Sequence, residues 1–86
     1  MNNNKDMNKM HAEIFTTITN MLSAQNIIPT TDYAGPIFNM TIQQYKNIRS
    51  GRTPLKEEQW KFFIKKVKEL DPLYSYRKLR DMILPK

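Results

Sequence analysis

The sequence predicts an all-α fold: one small domain of about five short helices that includes a helix-turn-helix. Three observations predict it. Apolar residues recur at helical spacing in several separate windows. Helix-start signals, a hydroxyl or acidic residue followed by proline or by a reciprocal glutamine, stand between those windows. No strand-type alternation, internal repeat or low-complexity tract longer than the Asn2–Asn4 triplet interrupts them. Eighty-six residues make a single domain. A chain of this size buries about 60–65% of its unfolded surface, so the core is modest.

Taken in order, residues 1–6 are polar and read as a disordered N-terminus, leaving 7–86 as the folded domain. Met7, Met10, Ile14, Ile18 and Met21 or Leu22 fall on one stripe, so the first helix is expected from about Met7 to Gln25. Asn26 to Thr31 is a linker, with Pro29 as the helix stop. Two short helices follow across Asp32 to Ser50. Thr53 as N-cap and Pro54 at the first helical position open a fourth helix. Glu57 and Glu58 sit near its positive end and Lys65, Lys66 and Lys68 nearer its negative end. Its inward stripe is Trp60, Phe63, Ile64, Val67 and Leu70. Asp71 and Pro72 repeat the cap-and-proline signal for a fifth helix, with Leu73, Tyr76, Leu79 and Ile83 inward and Pro85 as its end.

The chain carries a net charge of +6. Its pI of about 9.7 exceeds the value of about 9 that marks nucleic-acid-binding domains. The charge is uneven: residues 1–32 carry −1, residues 33–56 carry +4 and residues 57–86 carry +3. No helix joins a Lys/Arg face to a broad apolar face, which argues against a membrane-surface role. Cysteine is absent, which removes disulfides, a thiol nucleophile and thiolate metal sites, and suits a reducing cytoplasm. The N-terminus lacks the apolar stretch of a signal peptide, and no apolar run approaches the roughly 20 residues of a membrane span.

The most informative segment is Tyr33 to Lys56, which holds no Asp or Glu and whose only charges are Lys46, Arg49, Arg52 and Lys56. A surface that approaches phosphate must avoid carboxylates, because each would repel the polyanion. Within it lies the spacing of two helices crossing over a tight turn. Gly35 stands where the first backbone nears the second helix, and Asn39 stands at the turn, where left-handed dihedrals are needed. Ala34, Phe38, Met40, Tyr45 and Ile48 supply the inward face, and Gln43, Gln44, Lys46 and Asn47 the outward one. Thr41 and Gln44 have capping-box spacing, and Met40 and Tyr45 that of a hydrophobic staple. Gly51 is a natural residue to follow the helix.

This run resembles the helix-turn-helix of the Cro/repressor (Xre-like) regulators of phages and bacteria, over roughly Thr31 to Leu55. In that family the helix after the turn enters the DNA major groove. By position, the resemblance implies that Thr41, Ile42, Gln43, Gln44, Lys46 and Asn47 face DNA. The run Gly51-Arg52-Thr53-Pro54 resembles the family's loop beside the backbone. The chain departs from the family with Gly35 where Ala is favoured, Asn39 where Gly is favoured and Arg49 where an acidic residue is common. Pro36 is a further departure; with Asp32 as N-cap, it predicts a short or distorted helix before the turn.

Individual residues sharpen this expectation. Ile42 is apolar at an outward position; it either belongs to a shifted core or contacts a thymine methyl, and the second reading is preferred because Tyr45 and Ile48 already face inward. Ile42, Gln43 and Asn47 are the expected base readers, with Thr41, Gln44, Lys46, Arg49, Arg52 and Lys56 at the backbone or in mixed contacts. His11 is the sole histidine, with only Glu13 nearby, and reads as a solvated or rim residue rather than a metal or catalytic group. Phe62 and Tyr74 fall off the stripes and are candidates for a dimer surface or plain exposure, while Lys61, Lys65 and Lys68 form a solvated or phosphate-facing row. No paired carboxylates, phosphate-cradling loop or metal cluster is evident, so neither enzyme activity nor a cofactor is expected.

The functional expectation is a sequence-specific binder of double-stranded DNA, acting as a transcriptional repressor or regulator from a phage, plasmid or bacterium. Such motifs usually act as homodimers on two-fold sites. Two alternatives share the scaffold: a protein-interaction module acting as inhibitor or adaptor, and an architectural accessory protein of conjugation or recombination.

Overall fold

The computed structural model describes residues 3–83. They form four α-helices and one 3₁₀ helix with no strand, the all-α architecture expected.

The first helix, α1, runs Asn3–Ala24. It therefore takes in part of the segment expected to be disordered, with Asp6 in its first turn, where a carboxylate opposes the helix dipole favourably. Residues 1 and 2 lie outside the described residues. The buried stripe starts at His11 and continues through Ile14, Phe15, Ile18, Thr19 and Leu22. Met7 and Met10, expected on it, are exposed. Buried Thr19 satisfies its hydroxyl by donating to the Phe15 carbonyl at 2.8 Å. The helix does not wait for Pro29 to end. Asn26 adopts a left-handed φ of 62°, Ile27 N–H donates to Leu22 O at 2.9 Å and Asn26 N–H to Ser23 O at 3.0 Å. That is the paired bonding of a Schellman cap.

The helix before the turn is a 3₁₀ helix, Asp32–Phe38, capped by Thr31 rather than Asp32. The Thr31 hydroxyl oxygen accepts from Tyr33 N–H at 3.3 Å. Pro36 has no N–H to give, so one bond is absent inside this seven-residue segment. Asn39 closes it in the left-handed region, φ 59° and ψ 39°, and Met40 N–H donates to Gly35 O at 3.0 Å. Helix α2, Ile42–Arg49, follows at once.

Helix α3 runs Glu57–Leu70. The local signal at Thr53-Pro54 loses to longer-range bonding: Thr53 N–H donates to Asn47 O at 3.3 Å, Leu55 N–H to His11 at 2.8 Å, and Gln59 Oε1 accepts from Lys56 N–H at 2.8 Å. Lys56 is thus the N-cap position. Phe63 and Val67 are fully buried, with Trp60, Ile64 and Leu70 packed at the core's edge. Helix α4 runs Ser75–Ile83, later than Asp71-Pro72 suggested. Leu73 therefore falls in the turn, 67% exposed, and Ser75 takes the buried place with Leu79. Pro85 lies outside the described residues.

Phe15 is the centre of the core. Its ring lies 4.7 Å from that of Phe63, 5.2 Å from Tyr45 and 6.1 Å from Phe38, centroid to centroid. One side chain of α1 thus ties α2, α3 and the 3₁₀ helix together, each aromatic pair adding about 0.5–1.5 kcal/mol beyond its area.

Candidate nucleic-acid interface

The segment Gly35 to Lys56 builds a projecting helix on a rigid base. A Cβ placed on Gly35 would stand 2.8 Å from Thr41 O and 3.1 Å from Met40 O, so only glycine lets the 3₁₀ helix touch the start of α2. Gln44 N–H donates to Thr41 Oγ1 at 3.0 Å, and Thr41 N–H donates to Gln44 Oε1 at 2.8 Å. The capping box is complete. Ala34, Phe38, Met40, Tyr45 and Ile48 are all buried. Burial pushes the Tyr45 phenol above its usual pKa, against the opposing pull of a Thr19 hydrogen bond and Arg49. Gly51 follows α2 at φ 82°.

The outer face holds the expected set. Thr41, Ile42, Gln43, Gln44 and Lys46 are exposed, and Asn47 is half-exposed. Ile42, at 40% exposure, is not core. Gln43 Nε2 donates to Asn47 Oδ1 at 3.0 Å, so the two amides form one chain along the face. That chain leaves Gln43 Oε1 and Asn47 Nδ2 available, with one N–H of Gln43 Nε2 also free. Gln44 is held in the cap.

The four cations part ways. Lys46, Arg52 and Lys56 are exposed. Arg49 is half-buried and turned toward the body of the protein. Its Nη2 donates to Asn20 Oδ1 at 3.1 Å, its guanidinium lies 5.8 Å from the Tyr45 ring centroid, and its Nη1 is 4.0 Å from Asp32 Oδ1. Arg52 and Lys56 sit on the loop after α2. The loop is fixed by Arg52 N–H on Asn47 O at 2.9 Å and by Asn8 Nδ2 on Arg52 O at 3.2 Å. A depression runs between Gln44, Asn47, Thr53 and Lys56, joining α2 to that loop.

Two polar constellations escaped the sequence. His11 is buried at 6% exposure rather than on the rim. Its Nδ1 accepts Leu55 N–H at 2.8 Å, and Trp60 Nε1 stands 3.1 Å from its Nε2. Burial lowers its pKa. Asp71 is also buried. Its Oδ2 accepts from Ser75 Oγ at 2.7 Å, Ser75 N–H at 3.0 Å and Gln25 Nε2 at 2.8 Å. Burial alone would raise the carboxyl's pKa; the donors from Ser75, Gln25 and the Tyr74 backbone outweigh it and hold the pKa below the ordinary value. The sequence hints were slight: a histidine one turn before Ile14 and Phe15, and an Asp-Pro pair at a helix junction.

Among the described residues no three His, Asp or Glu side chains converge as metal ligands, and no helix is long and apolar enough to cross a membrane. Tyr74 is exposed, Phe62 is half-buried, and Lys61, Lys65 and Lys68 line the exposed side of α3. No protein-family model, curated protein or solved structure matches the chain.

Proposed function

We propose that this chain binds double-stranded DNA sequence-specifically through α2, in the manner of the Cro/repressor (Xre-like) regulators its motif resembles, and acts as a transcriptional regulator. The observation that carries this reading is the outer face of α2. Ile42, Gln43, Lys46 and Asn47 project together from a helix whose base is fixed by Gly35, the capping box and the Phe15 cluster. The face has a methyl-bearing contact, two amides and a cation, and no carboxylate. Those are the groups that read thymine, adenine and guanine in the major groove. Arg52 and Lys56 stand beside it for phosphate. Arg49, expected at the DNA backbone, is assigned instead to holding α2 on α1. A homodimer on a two-fold site is the expected working form.

Selection of bound sequences from random duplex DNA, followed by salt titration of the selected site, tests the reading. A defined motif, with affinity falling steeply as salt rises, is the expected outcome. Recovery of unselected sequence with salt-independent retention would instead favour the protein-interaction module.

A further inference from the structure

A groove of about 280 Å³ opens between α1, α3 and α4, on a different set of elements from the α2 face. Its walls are apolar: Met10, Ile14, Ile64 and Met82. The lining side chains that carry polar atoms capable of N–H donation are His11 and Trp60.

The hydrogen count at those two residues is unbalanced. A neutral imidazole has one N–H and one acceptor nitrogen, and the protonated ring has no acceptor at all. His11 Nδ1 accepts the buried Leu55 N–H at 2.8 Å, so the ring's own hydrogen is on Nε2. Trp60 Nε1–H, a donor in every state, faces that nitrogen at 3.1 Å. Two N–H groups therefore meet at the groove wall and neither can accept from the other. Moving the imidazole hydrogen to Nδ1 only transfers the conflict to the buried Leu55 amide. One oxygen with two lone pairs satisfies both donors.

We propose that this groove is a binding site for a compact apolar molecule bearing one carbonyl-type oxygen, neutral or carboxylate, which His11 Nε2–H and Trp60 Nε1–H hold between them. The size suits the class: a cavity of about 150 Å³ lined by aliphatic and aromatic residues takes benzene, so this groove takes a ring with a short polar tail. The assignment does not depend on DNA binding.

The chain has one tryptophan and one histidine, so the indole N–H resonance and the imidazole resonances are assigned without ambiguity. Labelled protein is titrated with acetophenone, phenylacetate and, as the probe without an acceptor, ethylbenzene. The Trp60 indole N–H resonance is expected to move saturably with acetophenone or phenylacetate, and binding of the better of these to be about tenfold tighter than that of ethylbenzene. Met82→Trp fills the groove and should abolish the response while the melting midpoint stays near wild type. Trp60→Phe, followed through the His11 ring resonances, should reduce the preference over ethylbenzene to what His11 Nε2–H alone supplies. An indole resonance that ignores all three probes overturns the site. Equal affinity for ethylbenzene, or a preference undiminished by Trp60→Phe, overturns the role of the two donors.

Discussion

Gly35 and Thr41 meet backbone to backbone: a methyl group on the glycine would lie 2.8 Å from the threonine carbonyl oxygen. The contact sets where α2 starts, because Thr41 is also its N-cap. The carbonyl cannot retreat without breaking Tyr45 N–H to Thr41 O, the first bond of the helix at 3.0 Å. Shape, cap and helix register are thereby one constraint.

Gly35→Ala should consequently destabilise the fold by about 1–3 kcal/mol, the range for overpacking a tight contact. For a domain of this size each kcal/mol lowers the melting midpoint by about 4–8 °C. Thermal unfolding followed by circular dichroism measures it. A midpoint equal to wild type would mean that the 3₁₀ helix and α2 do not touch at this point.

His11 and Asp71 should each make stability depend on pH, in separate windows. The folded pKa of His11 lies below the ordinary 6.5 because burial disfavours the imidazolium. The unfolded chain then binds the proton first, so the stabilisation is whole above about pH 6.5 and is lost as pH falls through the folded value. The Asp71 carboxyl is likewise held below its ordinary 3.8. Its contribution is whole above about that pH and is lost only in stronger acid. Urea midpoints between pH 8 and pH 2 should fall in two stages, and Asp71→Asn should diminish the lower one. A flat profile from pH 7.5 to pH 5 would show that His11 is free to protonate in the folded state.

Arg49 and Arg52 should separate stability from DNA affinity. Arg49→Ala breaks the bond to Asn20 and the contact with Tyr45, and should cost about 1 kcal/mol of stability. Arg52→Ala should leave the melting midpoint unchanged. If the arginine meets a phosphate, the slope of log K against log salt should drop by about 0.9 for that contact. Identical slopes for wild type and Arg52→Ala would place the loop away from DNA.

Gln43 and Asn47 should behave as a pair. Their hydrogen bond orients both amides, so Gln43→Ala and Asn47→Ala should relax preference at overlapping base positions, each by about 1–3 kcal/mol of discrimination. The double variant should lose less than the sum. Ile42→Ala should act separately, at a thymine. Binding-site selection on the four variants decides the matter. Unaltered motifs throughout would indicate that α2 does not read bases.

The legible parts of the structure were those fixed by near neighbours in sequence. The inward spacing of the five residues from Ala34 to Ile48, the Thr41–Gln44 box, the left-handed Asn39 and the close approach at Gly35 are all written within a few positions, although Phe38 and Tyr45 find their burial against Phe15. The illegible parts depend on distant ones. Thr53 and Pro54 are a sound local helix start, overridden by Asn47 and by a histidine 44 positions from Leu55. The bond of Arg49 to Asn20, 29 positions away, leaves no mark in the residues around either of them. Leu73 was misplaced because the turn after Asp71 delays α4 and turns Ser75, not Leu73, inward. Met7 and Met10 satisfy the period, but periodicity carries no information about where the neighbouring layer stops.

The centrality of Phe15 has a consequence for how the chain is made. Its partner Phe63 is synthesised roughly fifty residues later, which at about 5–20 residues per second leaves α1 waiting for roughly 2–10 s on the ribosome. During that interval its apolar stripe can meet only Phe38 and Tyr45 of the aromatic cluster, made 23 and 30 residues after Phe15. Released chains truncated before Phe63 should be captured by hydrophobic-surface chaperones and digested by protease, and the released full chain should escape both. The order of translation thus places the vulnerable moment of this small protein before its core is complete.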